Sequence, residues 1–197
     1  MPAQDRRITK ADIASNEAYA AQRAERRRAL LPVKKLRRIE VGPFATFYFE
    51  NFDTMLLQVQ EMLFIEKGGD EQLADELAAY NPLIPQGDEL VATVMFEIDD
   101  ESRRHRVLSR LGGIERHCFL QLGDQKIYAQ PEDDLERTSE DGKTSSVHFM
   151  HFRLSPEQAA AFRDDTAPAL LGFDHEHYAH LAVLSPDNRK ALAADLD

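Results

Sequence analysis

The stretch Phe44-Ala45-Thr46-Phe47-Tyr48-Phe49-Glu50-Asn51-Phe52-Asp53-Thr54-Met55 decides how the rest of the chain is read. Its first half is aromatic and β-branched, which suits a half-buried strand. Asn51 has the side-chain oxygen that caps a helix start, and Asp53 sits well against the helix dipole. Met55, Leu56, Val59, Met62 and Leu63 follow at helical spacing. A core strand therefore runs into a core helix with almost no loop.

That helix carries a polar stripe. At about 100° per residue Thr54, Gln58 and Glu61 fall on one line, away from the ordinary solvent face near Asp53, Gln60 and Lys67. Glu66 falls in line with apolar Met55, Val59 and Met62. The stripe lines a pocket or forms a second, partly exposed face. In the first case Glu61 or Glu66 would act as acid/base group or metal ligand.

Working outward, strands are expected around Ile39–Val41, Leu90–Ile98, Ile114–Leu122, Gln125–Gln130, Val147–Leu154 and Tyr178–Leu184. Gly42-Pro43 reads as a bulge or edge position. Gly123-Asp124 is a hairpin turn pair. Helices are expected over Asp70–Tyr80 and from Asp99-Asp100 to Leu111. Ser155-Pro156-Glu157-Gln158 and Ser185-Pro186-Asp187 each spell out another helix start. Pro131–Lys143 reads as a charged excursion, and Asp174–His177 as a polar loop leading into a strand. The reading is α+β: a mostly antiparallel sheet of about five or six strands with helices on one face, plus a basic N-terminal helix.

Residues 1–38 form the basic helical arm and residues 39–197 a single α+β domain. Thr9 opens the arm with Asp12 as capping partner, and Pro32 ends or kinks it. The arm holds eleven Lys/Arg against four Asp/Glu, a balance of +7, within a chain of net charge −11. Pairing with the acidic body of its own chain or of a homo-oligomeric partner is the expectation. Nucleic acid is not expected, because no aromatic is interleaved among the arm's Arg and Lys residues to stack on bases. No run approaches the ~20 apolar residues of a membrane span. The N-terminus lacks the apolar core of a signal peptide, and Cys118 has no second cysteine to pair with. A reducing cytoplasm is the expected compartment, with Cys118 a small buried hydrophobe.

No phosphate-cradling glycine loop or nucleophile elbow is present. Glu50, Glu61 and Glu97 could converge at one end of the sheet and support acid/base chemistry. His148 and His151, three apart on a strand, point to opposite faces. In Asp174-His175-Glu176-His177-Tyr178-Ala179-His180 two histidines share a side, and with Glu61 or Glu97 they could hold a divalent metal.

Arg37–Pro43, the block Phe49-Glu50-Asn51-Phe52-Asp53-Thr54 leading to Gln58-Val59-Gln60-Glu61-Met62, Tyr80–Pro85 and Glu89–Thr93 together resemble the bacterial domain of unknown function 3501. Asp174-His175 and Leu192–Leu196 fit as well. The resemblance covers nearly the whole chain and brings no established activity. It implies a setting near peroxide defence or redox metabolism, with rubrerythrin-like or iron–sulfur oxidoreductase partners. Glu176 stands where the resemblance implies a proline, which leaves His175 as the histidine to expect as a ligand.

Three functions follow as expectations. The first is a cytoplasmic accessory protein that binds a small ligand through Glu50, Thr54, Gln58, Glu61 and Glu97, or a metal (iron, zinc or manganese) through His175 and Glu61. The second is an enzyme using the same carboxylates, and the third an interaction module using the basic arm.

Overall fold

In the computed structural model, which describes residues 6–132, 142–164 and 167–197, the opening stretch folds as read. Strand β2 (Ala45–Phe49) leads through Glu50 and Asn51 into helix α2 (Phe52–Glu66). Asn51 caps that helix by accepting from the Thr54 N–H at 3.0 Å, and the Thr54 hydroxyl accepts from the Asn51 N–H in return. β1 (Arg38–Val41) is the edge strand of its sheet and pairs with β2 through a tight hairpin; Gly42-Pro43 lie in that turn at the edge and form no bulge. Gly42 has φ +67°, and a Cβ there would lie 2.6 Å from the His180 ring, so only glycine fits.

The chain continues through α3 (Gly69–Tyr80), β3 (Glu89–Phe96), α4 (Glu101–Leu108), β4 (Cys118–Leu122), β5 (Gln125–Tyr128), the short β6 (Gln130–Pro131) and β7 (Val147–Arg153). It ends with α5 (Pro156–Arg163), β8 (Ala169–His175), β9 (Tyr178–Val183) and α6 (Pro186–Ala193). The fold is α+β and its sheets are antiparallel, as the alternation implies. Five strands in the order β1-β2-β3-β7-β6 form one sheet, and β5-β4-β8-β9 form a second that the alternation does not separate from the first.

The reason for two sheets lies in the aromatic residues. Phe47 and Phe96 of the first sheet meet Phe173 of the second at 5.4 and 6.0 Å between ring centroids. This face of the first sheet is buried under the second sheet. Its other face carries Val91 into a separate core with Met55, Val59 and Leu63 of α2 and Leu73 of α3. β3 is thus buried on both sides. Ala169–Phe173, short and apolar, forms most of the strand β8, which lies between β4 and β9 in the second sheet. The expected loop at Asp174–His177 is the end of β8 and its turn. The excursion at 131–143 lies largely outside the described residues.

The arm also differs from expectation. Thr9 and Asp12 cap only a 3-10 turn at Lys10–Asp12, and Ser15 caps the long helix α1 (Asn16–Leu36). Pro32 lies inside α1 without ending it. Its ring deprives the Arg28 carbonyl of a donor, and both residues are exposed, so water can take that bond. No helix among the described residues is long and apolar enough to cross a membrane.

α1 lies against α2 through a polar clamp. Tyr19, fully buried, donates its hydroxyl to Glu61. Arg23 grips both Glu61 oxygens, at 2.9 and 2.7 Å. The Arg23 hydrogen bonds, aided by the Tyr19 hydroxyl, hold the Glu61 carboxyl down to about 2 from an ordinary 4.5, against the opposing effect of burial. Burial first, then that carboxylate, pushes the Tyr19 hydroxyl up. A depressed folded-state pKa means the ionic contribution is complete above pH 4.5 and is lost as pH falls towards 2. Glu61→Gln is therefore expected to cost about 1–3 kcal/mol at neutral pH. Denaturant titrations from neutral to acid pH should show the gap to wild type closing across that window. A gap independent of pH would contradict this role.

Candidate functional site

Between the C-terminal half of α1, the first turns of α2 and strands β1, β2 and β9 lies a cleft of about 860 Å³. Glu50, at the exit of β2, lines its floor with Thr54 and Met55. Its backbone is fixed twice: the N–H donates to the Val91 carbonyl at 2.8 Å, and its own carbonyl accepts from Arg37 at 3.0 Å.

The Glu50 carboxylate is buried and, among the described residues, held by hydroxyls alone. Thr54 donates to one oxygen at 2.6 Å and Thr93 to the other at 2.7 Å. The capping box makes this work, because the Thr54 hydroxyl oxygen already accepts from the Asn51 N–H and its proton is left for Glu50. Among the described residues no ion pair forms to Glu50. Burial raises its pKa, and the Thr54 and Thr93 hydroxyls with the charges of Lys34 and Arg37 only partly offset that.

Lys34 and Lys35 line the cleft and make no ion pair among the described residues. Leu31, Met95 and Val183 line it as well and are 62%, 36% and 69% exposed, so apolar surface stands open beside the two ammonium groups. Arg38, also lining the cleft, is engaged by Glu40 at 3.0 Å and lies over the Tyr48 ring.

Of the residues expected from the sequence, the cleft brings together Glu50, Thr54 and Gln58. Glu61 is not among its lining, since its carboxylate is spent on Tyr19 and Arg23. Glu97 lies by the other end of β2, where its N–H donates to the Phe44 carbonyl. Glu97 is not among the cleft's lining, but its carboxylate accepts from Tyr48 at 2.9 Å and lies 3.7 Å from Arg38, two residues that do line it. Glu97 therefore stands beside the cleft, while Glu61 is drawn away to α1. Hydrogen bonds from Thr46, then Tyr48, lower the Glu97 pKa against burial. Glu66 is exposed and accepts from Gln72.

His175 and Glu61 share no site either. The His175 Nδ1 accepts the His177 N–H at 3.2 Å, bracing the β8–β9 turn, and its ring stands 5.0 Å from that of His117. Burial lowers the His175 pKa. Among the described residues no three His, Cys, Asp or Glu side chains are grouped so as to hold a metal ion. Cys118 is fully buried, which pushes its thiol up and leaves it unreactive.

Lys34, Lys35 and Thr93 are the site residues that sequence reasoning passes over. Leu31, Lys34 and Lys35 share a face of α1 at i, i+3 and i+4, a signal hidden by the general basicity of the arm. Thr93 stands between Val91 and Met95 on the mixed face of β3, which also carries Glu89.

With that geometry in place, the match of residues 7–196 to a known family pattern covers the whole site. The chain belongs to the DUF3501 family. That family is described as "Protein of unknown function (DUF3501)". A crystal structure of a novel protein of unknown function from Burkholderia pseudomallei K96243 is 38% identical, over 96% of this chain and 99% of that one, with a TM-score of 0.89. No curated protein matches the chain.

The cleft over Glu50 carries a stability signature. Because the folded pKa of Glu50 is raised, folding binds its proton more tightly, and stability falls as pH rises from the unfolded value through the folded one. Glu50→Gln removes the buried charge at nearly constant shape. Its Tm is expected to exceed wild type at neutral pH by about 2–4 °C, equivalent to about 1 kcal/mol, with the gap vanishing near pH 4. Calorimetry at both pH values checks this, and a lower Tm for the variant at neutral pH would make Glu50 a structural anion.

Proposed function

We propose that this protein binds a small organic anion with an apolar body in the cleft above Glu50. Lys34 and Lys35 take the anionic group, and Leu31, Met95 and Val183 cover the apolar part. The observation that carries the reading is the pairing of two ammonium groups, without an ion pair among the described residues, with open apolar surface, over a buried acid held by two hydroxyls. Pockets that bind small ligands are mostly apolar with a few convergent polar groups, and perturbed acids cluster in them.

A second reading, acid/base catalysis by Glu50 on the bound anion, draws on its raised proton affinity. Under it, Glu50→Gln keeps binding and loses turnover. For partners, the rubrerythrin-like or iron–sulfur oxidoreductase proteins implied by the family resemblance remain a proposal.

Titration calorimetry with octanoate tests the binding reading. Saturable binding is expected, weakened at least tenfold in the Lys34→Gln/Lys35→Gln double variant, about 1.4 kcal/mol. The variant's circular dichroism and Tm should be unchanged. No saturable binding, or equal binding by the folded double variant, would overturn the reading.

A further inference from the structure

A second concavity, of about 740 Å³, lies where α4 and the turn after it meet Phe44 and the β8–β9 turn. It shares no lining residue with the cleft over Glu50. Its polar lining is cationic or neutral throughout: Arg103, Arg106 and Arg110, with His105, His177 and Ser109. Among the described residues no carboxylate lines it, in a chain of net charge −11.

Arg103, Arg106 and Arg110 find no carboxylate among the described residues. The nearby acids are engaged or turned outward. Asp100 caps α4 by accepting the Arg103 N–H, and Glu176, 80% exposed, lies 3.5 Å from His177. Arg103 instead lies over the Phe44 ring at 5.0 Å, and Arg110 reaches the His177 Nδ1 at 3.4 Å.

The floor is rigid. Phe44 stacks on Tyr178 with ring centroids 6.2 Å apart, and the Tyr178 hydroxyl accepts the Phe44 and Ala45 N–H groups while donating to the Val41 carbonyl. Three arginines lining one concavity, one of them over its aromatic floor, suit a tetrahedral anion, because the planar fork of arginine matches phosphate oxygens in pairs.

We infer that this concavity is a binding site for a phosphate-bearing small molecule. Three phosphate sources separate by experiment: inorganic, organic and nucleic acid. Calorimetry with the full chain would use pyrophosphate, ADP and an oligothymidylate, at two salt concentrations. The control is the Arg106→Gln/Arg110→Gln variant, whose altered side chains are exposed and outside the Glu50 cleft.

Saturable binding of pyrophosphate or ADP, weakened at least tenfold in the variant, supports the site. ADP binding more tightly than pyrophosphate, with the difference lost in Phe44→Leu, assigns the ring to the aromatic floor. No saturable binding of either small probe, or binding unchanged in the variant, overturns the proposal. So does oligothymidylate binding more tightly than ADP with a steeper salt dependence, which would make the surface a nucleic-acid contact.

Discussion

A single buried guanidinium organises the molecule. Arg37, 4% exposed at the end of α1, donates to the carbonyls of Phe49, Glu50 and Ala191 and to the carboxylate of Asp195. A buried charge is tolerable only when its donors are matched, and here one side chain ties α1, the exit of β2, α6 and the C-terminal segment together. The same arrangement shapes the cleft. Arg37 fixes the backbone of Glu50 but gives its ionic contact to Asp195, so the Glu50 carboxylate keeps only the hydroxyls of Thr54 and Thr93. The acid keeps a raised proton affinity because burial outweighs its two hydroxyl donors and the charges of Lys34 and Arg37.

Much of the fold is legible wherever local chemistry decides it. Asn51, Ser155 and Ser185 each cap the helix their sequence announces, with reciprocal partners three residues on. Strand β3 is legible from alternation, though both its faces are buried. What is not legible depends on neighbours distant in sequence. The division into two sheets rests on Phe47 and Phe96 meeting Phe173, a contact that no periodicity encodes. β8 hides because a short apolar run cannot be told from a buried helix segment by periodicity alone. α1 passes through Pro32 because that turn faces solvent, which the sequence does not state.

The site divides the same way. Helical periodicity puts Thr54, Gln58 and Glu61 on one stripe of α2, and that is correct as geometry. It cannot say what covers the stripe. The cleft takes Thr54 and Gln58, while Tyr19 and Arg23 of α1 clamp Glu61. Lys34 and Lys35 escape notice because their arm reads as a solvated basic helix, and only its docking beside β2 and α2 turns part of it into a wall of the cleft.

The most direct test of this account is the titration of Glu50 itself, followed by the side-chain carboxyl resonance in ¹³C-Glu-labelled protein and assigned with Glu50→Gln. The account predicts a midpoint above the usual carboxylate range of about 4.3, moving further when Thr93→Val removes one of the two hydroxyl donors. A resonance that titrates with the exposed glutamates, unmoved by Thr93→Val, would contradict the claim that Glu50 is a buried acid held only by hydroxyls.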